Sequence, residues 1–211
     1  MTNRNRSIAI GGAFSALIVV MVVTGLGYIR ISPVISYTIL QVPVVLATVL
    51  GGLVPGLIAG FVFGLTSLLK SAIMPISLLD PCFLNPLCSV VPRVLIAVVT
   101  WLVFSGLKKI PRFPHLAAGV VAAVVGSLAN TVLVFASLCL VHFAEIAPIA
   151  QNAVAQFPSL AGAAYIAILL MFAPTALVEG GISGVITGLV LTALGLARHG
   201  KAKLSAEADG E

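Results

Sequence analysis

Charge is the scarcest property of this sequence. Only 8% of its 211 residues are Asp, Glu, Lys or Arg, whereas soluble domains carry roughly 25%. A globule of this size still exposes much of its chain to water, so a soluble fold is excluded and the lipid bilayer must act as solvent. No Gly-x-x-x-x-Gly-Lys-Ser/Thr phosphate loop occurs, so the chain does not hydrolyse ATP alone. The absence of a His-Glu-x-x-His segment and of any Ser/His/Asp set argues against an enzyme. There is no Thr-Val-Gly-Tyr-Gly filter, and the apolar runs lack the series of ionisable residues a proton relay requires. Cysteine and histidine number three each. Cys139 lies in an apolar run and reads as a small core residue. Cys82 and Cys88 flank a polar loop and are expected to be two apolar-facing thiols, with a disulfide as the alternative. No histidine lies near them, so neither a metal site nor a cofactor is expected. Trp101 is the single tryptophan, which disfavours a site that stacks a large flat ring between indoles.

What is present is apolar sequence in unbroken runs, 60% of the chain. A helix needs about 20 apolar residues to cross the hydrocarbon, and a transmembrane β-barrel would alternate polar and apolar residues. The expected fold is therefore an all-α integral membrane protein, a bundle of about six transmembrane helices over residues 7–197. The first span, Ser7–Tyr28, is too long for a signal h-region and is followed by further spans, so it reads as a retained helix. Ser32–Leu50 carries Pro33 and Pro43 and is expected to be broken or short. A tight turn at Gly51–Gly56 leads into Pro55–Leu69, and a long loop, Lys70–Ser89, follows. Val90–Leu107, the basic turn Lys108–Arg112, His115–Phe143, a second loop Ala144–Gly162 and Ala163–Ala197 complete the body. The last segment is too long for a straight crossing, so it kinks at Pro174 or its ends leave the membrane. Residues 1–6 are a short N-terminal segment, and 198–211 form a polar tail expected to be disordered.

Net charge is +5, but the basic residues stand singly or in small groups between apolar runs. That pattern anchors membrane loops and does not suit a nucleic acid. With the N-terminus in the cytoplasm, Arg4, Arg6, Lys108, Lys109, Arg112, Arg198, Lys201 and Lys203 fall inside, and Arg30, Lys70 and Arg93 outside. The bias puts both termini in the cytoplasm and the two long loops on the outer face.

Ionisable residues within spans are costly and usually mark function. Arg93 opens the fourth span, Asn130 lies in the fifth and Glu179 in the sixth, while Lys70 and Asp80 lie in the outer loop. Together they suggest a site for a small polar solute, with Arg93 gripping a carboxylate or phosphate through its planar fork and Asn130 hydrogen-bonding an amide or hydroxyl. The structural alternatives stand beside this. Arg93 pairs with Glu179 or snorkels, Glu179 pins two helices, Asn130 bonds a neighbouring helix, Lys70 and Arg30 anchor at the interface, and Asp80 starts a turn before its proline. In the first span Ala9 and Ala13, and likewise Gly12 and Ala16, are four residues apart, so each pair shares a helix face that another helix can approach closely.

These residues resemble a known family. The size and six-helix plan, the Ala9-Ile10-Gly11-Gly12-Ala13 segment, the stretch Asn85-Pro86-Leu87-Cys88-Ser89-Val90-Val91-Pro92-Arg93 and the string Glu179-Gly180-Gly181-Ile182-Ser183-Gly184 are similar to the substrate-binding S component of an energy-coupling factor (ECF) vitamin transporter. The resemblance implies a multi-pass protein of a bacterial cell membrane. It implies that one water-soluble vitamin is captured at the outer face, and that the S component docks through Ala9, Gly12, Ala13 and Ala16 on a transmembrane T subunit driven by two ATPases. The Asn-Pro-Leu-x-Ser-x-x-Pro-Arg branch points to pantothenate, its carboxylate meeting Arg93 and its hydroxyls and amide meeting Asn85 and Asn130. Folate, riboflavin and a pyrimidine precursor are the competing solutes. A stand-alone secondary transporter of a small polar solute is the alternative function.

Overall fold

The computed structural model describes residues 3–30, 36–75, 80–142, 146, 151, 155 and 164–208. Helix α1 (Asn3–Val23) buries Gly11, Ser15 and Ile18, a narrow stripe at helical spacing, and leaves Ile8, Leu17, Val20 and Val23 exposed. That arrangement is stable only where the surroundings are themselves apolar. A turn through Gly25, at φ +73°, leads to a two-stranded antiparallel hairpin, β1 (Tyr28–Arg30) and β2 (Ser36–Thr38), with Tyr28 opposite Thr38 and Ile29 opposite Tyr37. Helix α2 (Gln41–Gly51) follows. Pro43 sits in its first turn, where no intrahelical N–H is needed. Every residue from Gln41 to Val49 is buried, because α2 is surrounded by the other long helices. Its 11 residues span only about 16 Å, half of a hydrocarbon core of about 30 Å. The segment expected to be broken or short is thus a hairpin followed by a half-length helix. A single sharp turn at Gly52, φ +91°, which favours glycine, joins it to α3 (Leu53–Ile73).

Helix α3 carries Gly56, Gly60 and Gly64 on one face. A Cβ at Gly60 would lie 2.6 Å from the Arg93 carbonyl oxygen, and one at Gly64 2.6 Å from the Val90 Cα. Two backbones therefore touch with no side chain between them. The described part of the region expected to be a long loop is largely helical. Helix α3 runs past Lys70, Asp80–Leu84 forms a 3-10 turn, and α4 (Pro86–Ser89) leads into α5 (Val91–Leu107). Helix α6 (His115–Val141) packs between α5 and α7 (Ala164–Ala208). The last helix contains Pro174 and takes in most of the polar segment expected to be a tail. Most of the second expected loop, 144–162, lies outside the described residues.

Among the described residues, five stretches are long and apolar enough to cross a membrane: Asn5–Val23, Leu53–Ile73, Pro86–Leu107, His115–Val141 and Phe172–Gly195. Close contacts sort their ends. Gly51 approaches Ile10, Gly11 approaches Ile58, Gly119 approaches Leu191, and the Phe104 and His115 rings lie 5.2 Å apart at one end. The Lys70 ammonium lies 4.2 Å from the Tyr28 ring, the Cys88 thiol donates to the Ser137 carbonyl at 3.6 Å, and Phe135 stacks on Phe172 at 4.4 Å at the other. The hairpin and α2 together return the chain from the Tyr28 end to the His115 end. The first half of α1 and the close of the last apolar stretch therefore share the His115 end.

Candidate functional site

Polar groups gather at the Tyr28 end. Asn85 caps α4, its Oδ1 accepting from the Leu87 N–H at 3.0 Å, and Pro86 takes the first helical position, where a missing N–H costs nothing. One turn on, Pro92 has no N–H to give the carbonyl four residues before it, that of Cys88. The next side chain supplies the donor instead: Arg93 Nη1 donates to the Cys88 carbonyl at 2.7 Å. The guanidinium carbon lies 4.9 Å from the Phe83 ring centroid and 5.5 Å from that of Phe63, within cation–π range of both. Arg93 is 8% exposed, and its Nε is buried without a partner. A fork of five donors is thus held by two rings and one carbonyl, with its Nε uncommitted.

Glu179, also 8% exposed, does not pair with Arg93. Its Oε1 accepts from the Thr38 N–H at 2.6 Å and its Oε2 from Gln41 Nε2 at 3.1 Å. Gln41 Nε2 also donates to Ser127 Oγ at 2.8 Å. This chain of bonds ties α7, the hairpin, α2 and α6 together. Asn130, one turn beyond Ser127, is 7% exposed, and its Oδ1 has no partner. Arg93 and Glu179 remain within electrostatic range of one another. A third group centres on Tyr28, whose hydroxyl is hydrogen-bonded to the Ser67 side chain and which feels the charges of Arg93 and Asp80. Burial pushes its phenol above the usual tyrosine value, because ionising it in apolar surroundings is unfavourable. Lys70 is half-buried over the Tyr28 ring, and Asp80 is buried at the start of the 3-10 turn.

The structure therefore gathers Arg93, Asp80 and Lys70 around Tyr28, and brings Glu179 and Asn130 to the same end through Gln41 and Ser127. Asn85 is half-buried with its side-chain oxygen engaged in the cap. Ala9, Gly12, Ala13 and Ala16 all lie on the exposed face of α1, and a Cβ at Gly12 would meet nothing within 4 Å. Sequence reasoning missed Gln41, Ser127, Tyr28 and Thr38. A lone Gln opening an apolar helix was the signal for the first, and the four-residue spacing of Gly56, Gly60 and Gly64 was the signal for the seat of α5. No disulfide joins Cys82, Cys88 and Cys139. Among the described residues no group of three or more His, Cys, Asp or Glu side chains could hold a metal.

Residues 6–191 match the family described as ECF transporter, substrate-specific component. No curated protein matches the chain.

Proposed function

We propose, from the premise that this chain belongs to the substrate-specific components of ECF transporters, that it captures a small water-soluble carboxylate at the Tyr28 end of the bundle, with the vitamin pantothenate as the best candidate. The observation that carries the reading is Arg93: a buried guanidinium bonded to the Cys88 carbonyl, with an unpartnered Nε. A carboxylate satisfies such a fork bidentately. The hydroxyls and amide of pantothenate suit Asn130 and the side-chain amide nitrogen of Asn85.

The Tyr28 end faces the exterior in this reading, because Lys108, Lys109 and Arg112 lie in the turn between α5 and α6 at the opposite end, as basic cytoplasmic loops do. Both termini are then cytoplasmic, in a bacterial cell membrane. Delivery proceeds by docking on a T subunit powered by two ATPases, through the exposed small residues Ala9, Gly12, Ala13 and Ala16. The low charge of the body suits movement in lipid, where dragging a charge across costs several kcal/mol.

Native mass spectrometry of the purified chain identifies a co-purified solute, and calorimetric titration with pantothenate then compares wild type with Arg93→Ala. The expected result is a loss of about 2–5 kcal/mol in the variant. An unchanged affinity assigns Arg93 to packing alone, and a different retained carboxylate replaces pantothenate.

A further inference from the structure

We infer that Gln41 is a specificity-determining residue whose side-chain carbonyl accepts a hydrogen bond from a hydroxyl of the bound solute, and that Glu179 is a positioning residue that aims it. The inference rests on the reading that the Tyr28 end binds a carboxylate, and it narrows the substrate class to carboxylates that also carry hydrogen-bond donors.

The orientation of the Gln41 amide is fixed. Both oxygens of Glu179 accept, Oε1 from the Thr38 N–H and Oε2 from Gln41 Nε2. The second N–H of the same nitrogen goes to Ser127 Oγ. Turning the amide over would face its oxygen toward the carboxylate, so the NH2 end is locked. That leaves Oε1 of Gln41 buried, in a residue with 0% exposure, and without a partner. A buried carbonyl without a donor is a costly arrangement, and native structures rarely keep one without a reason.

The surroundings supply the reason. Asn130 Oδ1 is a second buried acceptor without a partner, one turn along α6 from the Ser127 that Gln41 holds. Arg93 Nε is a buried donor without a partner, on a helix that packs against both α2 and α6. Two acceptors and one cationic donor are complementary to a molecule with a carboxylate at one point and hydroxyl or N–H groups at another. A bare carboxylate would satisfy Arg93 and leave both amide oxygens unpaired, and sites built to hydrogen-bond a hydroxyl reject analogues that lack it. Glu179 makes no contact with the solute in this scheme.

The test is a titration of the full-length chain, in lipid nanodiscs, with pantothenate and with its analogue lacking both hydroxyls. Wild type is expected to prefer pantothenate by at least about 10-fold. Gln41→Met, which keeps the length and removes the whole amide, is expected to reduce that preference by about 10-fold. Glu179→Gln is expected to reduce the same preference, and the double variant to lose no more than the stronger single, because both act on one contact. Equal binding of the two ligands by wild type, which needs no variant to fold, overturns the inference and leaves the carboxylate reading standing. So does a Gln41→Met loss that is the same for both ligands. Failure of wild type to bind either ligand, or any other carboxylate, removes the reading and this inference together.

Discussion

Arg93 does two things that one pair of substitutions separates. Its Nη1 replaces the N–H that Pro92 lacks, bonding the Cys88 carbonyl at 2.7 Å, and its Nε is left without a partner. Replacing Arg93 with Met leaves the Cys88 carbonyl without a donor, a stability loss of about 1–3 kcal/mol, and removes the carboxylate contact, an affinity loss of about 2–5 kcal/mol. Adding Pro92→Ala restores a backbone N–H in register for that carbonyl. The double variant is therefore expected to regain most of the thermal stability, read by denaturation in detergent, and none of the affinity, read by calorimetric titration with the carboxylate. Recovery of affinity together with stability would refute the reasoning, because Arg93 would then only mend a proline-interrupted helix. Full affinity in Arg93→Met alone would refute it in the same way.

Gly60→Ala puts a Cβ 2.6 Å from the Arg93 carbonyl oxygen and is expected to lower stability by about 1–3 kcal/mol. Gly181→Ala, where nothing lies within 4 Å, is expected to be neutral, and equal melting temperatures for the two would contradict the close α3–α5 approach. Ala9→Trp or Ala13→Trp is expected to break co-purification with a T subunit and its ATPases while leaving solute binding intact, and an intact complex in both variants would remove α1 from the docking face. Burial raises the Tyr28 phenol, so its contribution to stability is complete below its usual titration range and is lost only as pH climbs through the higher folded value. The ultraviolet difference titration of wild type against Tyr28→Phe should show one phenol ionising above the usual value near 10, and a midpoint at or below it would place Tyr28 in water. Cys82 and Cys88, both buried and not joined by a disulfide, should resist maleimide until the protein is denatured. An intact mass short of two hydrogens would mean that a disulfide had formed.

The membrane class, the five long apolar helices and the burial of Arg93, Asn130 and Glu179 could be read in the sequence, because unbroken apolar runs and isolated polar residues within them follow directly from the chemistry of the bilayer. The segment around Pro33 and Pro43 was legible only as an interruption. A hairpin of two three-residue strands is set by pairing across the chain, which no local pattern reports. Continuation of ordered structure past Lys70 was missed because Pro75, Asp80, Pro81 and Pro86 look like loop chemistry, although Pro86 in fact begins a helix. The partners of Glu179 were also hidden. Arg93 was the obvious charge to set against it, yet the carboxylate is taken by a backbone N–H and an amide from residues about 140 positions away in sequence, within reach only because α2 is folded into the centre.

The hairpin has a role that its size conceals. Tyr28 and Thr38 face each other across its two strands, and each reaches a different half of the polar end: Tyr28 the Ser67 hydroxyl and the neighbourhood of Arg93, Thr38 the Glu179 carboxylate. A shift of one residue in that pairing would invert the side chains of a strand, turning the phenol outward and moving the amide hydrogen off the carboxylate in a single event. Insertions or deletions between the strands are thus a route by which relatives of this chain can retune what they hold without altering any membrane-crossing helix.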